Sequence, residues 1–257
     1  MTRLLANKRC LIVGGTSGIG RAAAERFCAE GARVIAAGLD VAELAGNESL
    51  HFVATDACDA DSVEKLFRAA ISQLGGLDVL YHVAGGSGRK LGDGPLHDCT
   101  EAGWQATIDL NLKSVFLTNR AAVRHFLVQK QAGVVLNMAS VLALSPSPQH
   151  FDTIAYTAAK GGVIALSRLA AARYAPHGIR VNVIAPGLID TPTAARAVND
   201  PVIRTFLKSK QPLAGGPGSP EDCAGAAAFL CGDAARFVTG VVLPLDGGWC
   251  VSEGPYE

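Results

Sequence analysis

The chain alternates short apolar runs with longer stretches in which apolar residues recur every three or four positions. A short run that is apolar throughout is typical of a strand covered on both faces, and the longer period predicts an amphipathic helix. The predicted strands are residues 9–13, 33–37, 51–54, 79–83, 134–138, 180–184 and 241–245. The predicted helices are residues 19–29, 60–74, 103–131, 155–175 and 220–230. This alternation predicts an α/β fold with a mainly parallel sheet, right-handed crossovers and helices on both faces.

One stretch interrupts the alternation. Between Asp190 and Pro220 the chain carries five prolines, at positions 192, 201, 212, 217 and 220, and a Gly-Gly-Pro-Gly run. An irregular segment of this length inside a compact domain is more often a mobile lid than a core element. We therefore interpret residues 190–219 as a substrate lid within a single domain spanning residues 1–257. A simple surface excursion is the alternative.

Length and composition fit one soluble domain. The chain has 257 residues, 49% of them hydrophobic and 18% charged, and its 23 basic and 23 acidic residues cancel. A chain without net charge gives no indication of a nucleic-acid partner. We find no apolar signal core near the N-terminus and no apolar run of membrane-spanning length, so we expect a cytoplasmic protein with no membrane partner. The seven scattered cysteines lack a paired CxxC spacing, so we expect no disulfide frame and no metal site.

The turn after the first predicted strand reads Gly-Gly-Thr-Ser-Gly-Ile-Gly, from Gly14 to Gly20. Glycines at positions 14, 18 and 20 allow a tight turn, close approach of the backbone to a pyrophosphate, and close packing of the next helix. The N-terminus of that helix offers free N–H groups to phosphates. A glycine-rich turn alone is a weak signal, but its place between an apolar strand and an amphipathic helix favours a dinucleotide site.

Tyr156 and Lys160 are four residues apart in a predicted helix, and Ser140 ends an apolar strand shortly upstream. The spacing places the phenol and the ammonium on one helical face, where the positive charge favours phenolate over phenol. A tyrosine in this setting can exchange a proton near neutral pH. That is the proton chemistry that the interconversion of an alcohol and a ketone requires.

An ordered set of motifs runs along nearly the whole chain: the glycine turn, Asp56, Ala84-Gly85, Asn111, Ser140, the Tyr156-x-x-x-Lys160 run, Pro186-Gly187 and Asp246-Gly247-Gly248. In the order and spacing of these motifs the chain resembles the short-chain dehydrogenase/reductase family, of the compact single-domain type. The resemblance implies a Rossmann-like three-layer αβα sandwich with a seven-stranded, mainly parallel sheet. It also implies a homotetramer that acts as an NAD(P)-dependent oxidoreductase, interconverting a secondary alcohol and a ketone by hydride transfer.

The same resemblance implies a role for each catalytic residue. Tyr156 would be the general acid in reduction and the general base in oxidation, and Ser140 would hydrogen-bond the substrate oxygen. Lys160 would lower the pKa of Tyr156 and hold the nicotinamide ribose. Asn111 would kink the long helix and hold a water that links Lys160 to solvent. Positioned donors of this kind stabilise the charge that builds on oxygen as hydride moves to or from carbon.

The resemblance assigns the dinucleotide to the glycine turn and the carboxyl ends of the strands. Asp56 matches the residue that meets the adenine amino group, and Thr191 is expected near the nicotinamide or its phosphate. Capping a helix is the alternative role of Asp56 and Thr191. The full set of implied cofactor contacts is Gly14, Thr16, Ser17, Gly18, Ile19, Gly20, Leu39, Asp40, Asp56, Ala57, Val83, Ala84, Gly85, Tyr156, Lys160, Pro186, Gly187, Ile189 and Thr191.

The residues after the second strand favour NAD over NADP. An NAD enzyme usually has an acidic residue at the position of Gly38, and an NADP enzyme has a basic residue near Leu39 or in the glycine turn. This chain has neither. Asp40 can still reach the ribose 2′-hydroxyl and would repel a 2′-phosphate, and we interpret Arg21 as a solvated helix residue.

Three departures from the family pattern affect the site. Val13-Gly14 replaces Thr-Gly at the glycine turn, and His82-Val83 replaces Asn-Asn before Ala84-Gly85. We interpret His82 as a structural histidine in a substituted network. The interval from Ser140 to Tyr156 is also longer than usual, by three residues in the loop 144–152, which should border the substrate.

The sequence does not identify the small-molecule alcohol or carbonyl substrate. By their proximity to the catalytic groups, the expected substrate contacts are Ser87, Leu142, His150, Phe151 and Leu188. Two alternatives to a general alcohol dehydrogenase stay open: a 3-oxoacyl thioester reductase of the same family, and a non-catalytic dinucleotide-binding regulator. The intact catalytic set counts against the regulator, which would not need it.

Overall fold

The computed structural model describes residues 3–253, and within this range seven strands form a single sheet. The strands are β1 (Arg9–Val13), β2 (Arg33–Gly38), β3 (Leu50–Ala54), β4 (Val79–His82), β5 (Gly133–Met138), β6 (Ile179–Pro186) and β7 (Val242–Leu245). Their order is β3-β2-β1-β4-β5-β6-β7, and every neighbouring pair is parallel. The strands predicted from the apolar runs are thus confirmed, with small shifts at their ends.

Helices cover both faces of the sheet. Along the chain they are α1 (Gly18–Ala29), α2 (Ala60–Leu74), α3 (Glu101–Ile108), α4 (Ser114–Gln129), α5 (Pro148–Phe151), α6 (Ile154–Tyr174), α7 (Ala195–Val198), α8 (Pro201–Lys210) and α9 (Pro220–Cys231). Successive strand residues face opposite layers. Ile12 packs with α1 and α9, whereas Leu11 packs with α2, α4 and α6. The fold is therefore the three-layer αβα sandwich that the resemblance implies.

A reversal of the strand order positions the site. From β1 the chain winds outward through β2 and β3, and it then returns to place β4 on the other side of β1. The loops that leave β1 and β4 at their carboxyl ends therefore run to opposite sides and open a crevice. Ligands of open α/β sheets bind at this kind of reversal.

The helix predicted over residues 103–131 is divided. α3 ends at Ile108, a π-helical turn covers Asp109–Lys113, and α4 begins at Ser114. Hydrophobic periodicity misses this turn because it is short and lies between two regular helices. π-Helical turns inside helices are often found at functional sites.

The segment 190–219 is more regular than its prolines suggest. Pro201 takes the first position of α8, where the N–H that proline lacks would have no helical partner. Asp200 caps the helix by accepting hydrogen bonds from Val202 N at 2.8 Å and from Ile203 N at 3.2 Å. Ile203 and Leu207 then bury one face of α8. The irregularity expected here from the sequence was wrong for residues 201–210, because proline begins this helix and does not interrupt it.

An ion pair joins β1 to the residue before β4 at the amino-terminal edge of the sheet. Arg9 Nε and Nη2 donate to the Asp78 carboxylate at 2.9 and 2.7 Å, and the backbone N–H of Arg9 donates to it at 2.8 Å. Burial raises the pKa of Asp78, but the hydrogen bonds from Arg9 outweigh burial and hold it below the ordinary value of 3.8. The stability from this pair is therefore fully present above pH 3.8, and it is lost as the pH falls through the lower pKa of the folded state.

We expect Asp78→Asn to lower the free energy of unfolding by about 1–2 kcal/mol at neutral pH, because it removes the charged partner of a partly buried guanidinium. The deficit relative to wild type should shrink as the pH is lowered below 3.8. Urea unfolding over this pH range measures both effects. Glu64→Gln, which removes the exposed partner of Arg68, is the control and should change stability little. A deficit that stays constant with pH would contradict the assignment to Asp78.

Candidate active site

A cavity of about 560 Å³ opens at the carboxyl ends of β1, β2, β4, β5 and β6. It brings together most of the residues that the sequence singles out, although they come from distant parts of the chain. The predicted residues that line it are Gly14, Thr16, Ser17, Gly18, Ile19, Leu39, Asp40, Asp56, Ala57, Val83, Ala84, Gly85, Ser87, Ser140, Leu142, Phe151, Tyr156, Lys160, Pro186, Gly187, Leu188, Ile189 and Thr191. The crevice at the strand reversal is therefore the candidate active site.

Three predicted residues, all in the described range, lie outside this lining. Gly20 lies behind the glycine turn, where an added Cβ would run into the carbonyl oxygen of Gly14. Asn111 is fully buried, in the π-helical turn. The ring of His150 packs against Phe206 of α8, with centroids 4.6 Å apart. The ring also lies 6.4 Å, centroid to centroid, from that of Phe151, which does line the cavity, so the role of His150 as a substrate contact stays a prediction.

The π-helical turn holds Asn111 through both ends of its amide. Nδ2 donates to Gly86 O and Thr107 O, both at 3.0 Å, and Oδ1 accepts from Gly86 N at 3.0 Å. Ser114 Oγ donates to Leu110 O at 2.6 Å. Side chains thus bind carbonyl groups of the widened turn and fasten it to the loop after β4. The kink expected at Asn111 takes the form of this turn.

His82 is a buried partner of the same helix. Its Nδ1 lies 2.8 Å from Thr118 Oγ1, and its Nε2 lies 3.3 Å from Ser114 Oγ. The Ser114 hydroxyl also donates to Leu110 O, and the Thr118 hydroxyl to Ser114 O at 3.1 Å, so both ring nitrogens have hydroxyl partners that are bound to the helix backbone. Burial, and then the charge of Lys160, lower the pKa of His82 to about 3, so the ring is neutral. His82 is a satisfied structural histidine, as the sequence predicted.

Gly85 lies where these groups meet. Its φ is +151°, and an added Cβ would lie 2.6 Å from Asn111 Oδ1 and 3.2 Å from Lys160 Nζ. A side chain at this position would therefore strain the backbone and displace one of the two polar groups. Glycine lets the end of β4 pass between the π-helical turn and α6.

Ser140, Tyr156 and Lys160 form a connected group inside the cavity. The Ser140 side chain opposes the effect of burial on the pKa of Tyr156, and its hydroxyl oxygen accepts from Leu142 N at 3.2 Å. Lys160 Nζ donates to Met138 O at 3.0 Å and lies 5.6 Å from the centroid of the Tyr156 ring. The end of β5 and the first turns of α6 thus bring a hydroxyl, a phenol and an ammonium together.

Burial is the largest influence on the pKa values of Tyr156 and Lys160. It raises the pKa of Tyr156, and the Ser140 side chain opposes that effect only in part. It lowers the pKa of Lys160 from 10.5 to about 8. Burial outweighs any opposing influence on the pKa of Tyr156, and the Lys160 ammonium is directed to Met138 O, so the role of Lys160 in lowering that pKa stays a prediction. At neutral pH Tyr156 is therefore a phenol and Lys160 is mostly protonated.

Asp93 holds the start of the catalytic helix, and sequence reasoning missed it. Its Oδ1 accepts from Ala155 N and its Oδ2 from Tyr156 N, both at 3.0 Å, and Gly94 O accepts from Ile154 N at 3.0 Å. The carboxylate caps α6 as an N-cap side chain would, although it lies about sixty residues upstream. A local sequence pattern does not predict a helix cap that comes from another part of the chain.

The phosphate end of the cavity fits a dinucleotide. Gly14 and Gly18 have φ of +85° and +50°, and an added Cβ on Gly14 would run into the backbone of Ala84. In the part of the chain that the structure describes, Ser17 makes no capping hydrogen bond and the first turn of α1 has no acidic side chain. The first N–H groups of α1 are therefore free to bind an anion such as a pyrophosphate.

Asp40 lines the ribose end of the cavity, whereas Arg21 of α1 lies outside the lining. Asp40 is exposed, and its carboxylate accepts a hydrogen bond from Ala42 N at 3.2 Å. Arg21 Nε donates to Glu25 at 2.6 Å, and its guanidinium lies 4.8 Å from the centroid of the Phe52 ring. Arg21 is thus directed along the helix surface.

Within residues 3–253, neither Asp56 nor Thr191 caps a helix through its side chain. Asp59, and not Asp56, caps α2, and the Asp56 carboxylate instead accepts from Cys58 N at 2.8 Å. Thr191 precedes a short 3₁₀ turn but makes no capping hydrogen bond within the described residues. Both residues line the cavity, so the cofactor roles that the resemblance implies stay as predictions.

The substrate end of the cavity is walled by Leu142, Phe151, Leu188 and Trp249. Trp249 is almost fully buried, donates from Nε1 to Ser145 O at 3.1 Å, and has its ring centroid 5.7 Å from that of Phe151. Sequence reasoning missed Trp249 because its partners are about a hundred residues away.

Residues 3–253 contain neither a cluster of metal-binding side chains nor a helix that could span a membrane. No group of three or more His, Cys, Asp or Glu side chains in this range is arranged to hold a metal ion. No helix in the same range is both long and apolar enough to cross a membrane.

The chain is similar in sequence and in fold to several known proteins. A family model described as enoyl-(acyl carrier protein) reductase matches residues 13–250. A cis-4-hydroxycyclohexanecarboxylate dehydrogenase from Sinomonas cyclohexanicum is 38% identical, over 97% of this chain and 99% of its own. A 3β-hydroxysteroid dehydrogenase from Eggerthella lenta is 37% identical, over 97% of this chain and 96% of its own. The solved structure of a short-chain type dehydrogenase/reductase from Mycobacterium ulcerans matches with a TM-score of 0.88 at 30% identity, over 98% of this chain and 92% of that one.

The chain belongs to the short-chain dehydrogenase/reductase family. It is an oxidoreductase that acts on CH–OH groups and interconverts a secondary alcohol and a ketone, and enzymes of this class use NAD(P). The family, the fold and the reaction type predicted from the sequence are confirmed. The alternative of a non-catalytic regulator loses its support.

We expect Asp93→Ala to reduce kcat about tenfold or more, because loss of the cap lets the first turn of α6 and Tyr156 move. It should also lower the free energy of unfolding by about 1–2 kcal/mol. Steady-state kinetics and urea unfolding measure the two effects. Ser219→Ala, which removes the side-chain cap of α9, is the matched control and should affect stability with little change in kcat. Equal losses of kcat in the two variants would contradict a specific role for Asp93.

Proposed function

We propose that the protein interconverts a secondary alcohol on an alicyclic ring and the corresponding cyclic ketone, with NAD(H) preferred over NADP(H). The observation that carries the proposal is the meeting of the Ser140 and Tyr156 hydroxyl groups with the buried Lys160 in one cavity that has an apolar wall. A planar or puckered ring needs such a wall, and its oxygen needs such a pair of donors.

The proton chemistry rests on Tyr156 and Ser140. In reduction, both hydroxyls would donate hydrogen bonds to the carbonyl oxygen, and Tyr156 would release its proton to that oxygen. The raised pKa of Tyr156 keeps this proton in place at neutral pH until charge develops on the substrate. The nicotinamide, when bound, supplies the hydride in this direction and accepts it in the other.

Lys160 and Asn111 would support this step from behind. The Lys160 ammonium, with a pKa of about 8, is mostly charged at neutral pH and would stabilise the phenolate as the proton leaves Tyr156. Its second role would be to hold the ribose of the dinucleotide. Asn111 would keep the loop after β4 in place and hold a water that links Lys160 to solvent. The hold of Asn111 on the loop follows from its hydrogen bonds with Gly86, and the other three roles come from the resemblance and are part of the proposal.

The ring in the substrate is supported by the relatives and by the cavity. The relatives from Sinomonas cyclohexanicum and Eggerthella lenta are named for substrates with a hydroxyl group on an alicyclic ring. Four apolar residues line the same space in this chain: Leu142, Phe151, Leu188 and Trp249. The segment 190–219 would close over this space as a lid, since it contributes Thr191, Thr193 and Arg196 to the lining.

The preference for NAD is supported by the charges at the ribose end. Asp40 lines the cavity and would repel a 2′-phosphate, and the guanidinium of Arg21 is engaged with Glu25. The homotetramer and the cytoplasmic location stay predictions. Phe116 of α4 and Leu169 of α6 are exposed apolar residues on the two long helices for which the resemblance implies subunit contacts.

We expect Tyr156→Phe to lower kcat by about 10²–10⁴-fold while NADH still binds, because the variant loses the transferable proton but keeps the ring. NADH and NADPH consumption would be followed with cyclohexanones, a 3-ketosteroid, a linear ketone and a 3-oxoacyl thioester. Tyr174→Phe, the same substitution at the far end of α6, is the control and should keep wild-type rates. Wild-type turnover by Tyr156→Phe would refute the role of Tyr156, and turnover of the thioester alone would favour the 3-oxoacyl alternative.

We expect Asp40→Ala to raise the KM for NADH and lower the KM for NADPH, because it removes a ribose acceptor and a charge that repels the 2′-phosphate. The ratio of the two KM values should shift about tenfold or more. Glu43→Ala, a nearby exposed acid outside the cavity lining, should leave the ratio unchanged. A wild-type enzyme with a lower KM for NADPH than for NADH would end the preference for NAD.

A further inference from the structure

Two arginines lie at the mouth of the substrate end of the cavity. Arg89 comes from the 3₁₀ turn Gly88–Leu91 that follows β4, and Arg196 comes from α7 in the segment 190–219. Both line the same cavity as Ser140 and Tyr156. Two guanidinium groups from distant elements thus face one space next to the reacting groups.

Neither guanidinium is neutralised by a carboxylate in contact. Among residues 3–253, the ion pairs with N···O distances up to 4.0 Å involve other basic residues. Burial, and then the charge of Arg196, lower the pKa of Arg89, whereas Asp152 and Asp93 act in the opposite direction. The Asp93 carboxylate is already occupied by two N–H groups of α6. The mouth of the cavity therefore carries positive charge that the protein itself does not pair.

Arg89 is positioned by the loop that makes this chain longer than its family pattern. Its Nη2 donates to His150 O at 3.4 Å, in the loop 144–152. The same loop accepts a hydrogen bond from Trp249 through Ser145 O. The loop thus holds one guanidinium and part of the apolar wall, with other N–H groups of Arg89 left to bind a ligand.

We propose that the substrate is a ring alcohol or ketone that carries a carboxylate, and that Arg89 and Arg196 bind this carboxylate. The cavity lining offers three kinds of surface: hydroxyl groups at Ser140 and Tyr156, an apolar wall, and the exposed guanidinium groups of Arg89 and Arg196. A carboxylate accepts paired hydrogen bonds from guanidinium groups with good geometry. The inference rests on the proposed function and specifies its substrate class.

The test compares 4-hydroxycyclohexanecarboxylate with 4-hydroxycyclohexanecarboxamide, which has nearly the same shape and no charge. Wild-type kcat/KM with NAD should be at least tenfold higher for the carboxylate. Arg89→Gln and Arg196→Gln should each reduce the ratio of acid to amide severalfold, mainly through the KM of the acid, and the double variant should abolish the preference. Lys90→Gln, an exposed base in the same turn outside the cavity lining, is the control and should keep the wild-type ratio.

A binding measurement separates this inference from the proposed function. Cyclohexanecarboxylate, which has no reacting hydroxyl, should bind the NADH complex in calorimetry, and the double variant should lose this binding. Turnover of the amide as efficiently as the acid, with ratios unchanged in the variants, would overturn the inference and leave the proposed function standing. If neither compound is turned over, the ring-alcohol proposal fails for this ring, and binding of cyclohexanecarboxylate decides the arginine site. A rise in the KM for NADH in both arginine variants, with no change in the ratio, would assign the arginines to the cofactor and overturn the inference.

Discussion

The segment from His82 to Gly94 is bonded to both helices that carry catalytic groups, and the geometry of the site depends on it. Gly86 exchanges hydrogen bonds with Asn111 in the π-helical turn, and Asp93 holds the first N–H groups of α6. Gly85 passes between the two helices, with no room for a side chain. The π-helical turn also packs directly on α6, where Leu112 lies against Gly162, so the segment and this contact together place Asn111 relative to Tyr156.

Burial shifts the pKa values of Tyr156 and Lys160 in opposite directions. It stabilises the phenol of Tyr156 and the neutral amine of Lys160, because each charged form alone is poorly solvated. When a proton leaves Tyr156, however, the phenolate and the ammonium form a pair without net charge. Burial destabilises such a pair less than it destabilises either charge alone. Lys160 therefore acts on the charged state that forms during proton transfer. This explains how the resting tyrosine has a raised pKa in a site that is arranged for acid–base chemistry.

The sequence predicted the fold well because its signals are local. Apolar runs mark the strands, and the glycine turn must lie between β1 and α1. What it missed depends on contacts between distant segments: the cap that Asp93 gives to α6, the packing of Trp249 on Phe151, and the meeting of Arg89 with Arg196. The predicted substrate contact His150 lies outside the cavity lining, because nearness in sequence to Tyr156 does not determine the direction of a side chain. The helix at residues 201–210 was missed because a proline at a helix start cannot be told from a proline in a loop by itself. The signal that distinguishes the two here is Asp200, which caps the helix.

The long loop between Ser140 and Tyr156 contributes to the cavity chiefly through its backbone. Ser145 O accepts from Trp249 and His150 O accepts from Arg89, so one loop supports both an apolar and a charged part of the substrate end. A carbonyl group is present whatever the side chain is, so these contacts depend on the length and path of the loop and not on the identity of residues 145 and 150. The path of the loop therefore brings it to both Trp249 and the turn after β4. Changes of loop length in this place would alter the substrate end while the proton-transfer group at the inner end, held by β5, α6 and the segment after β4, is left intact.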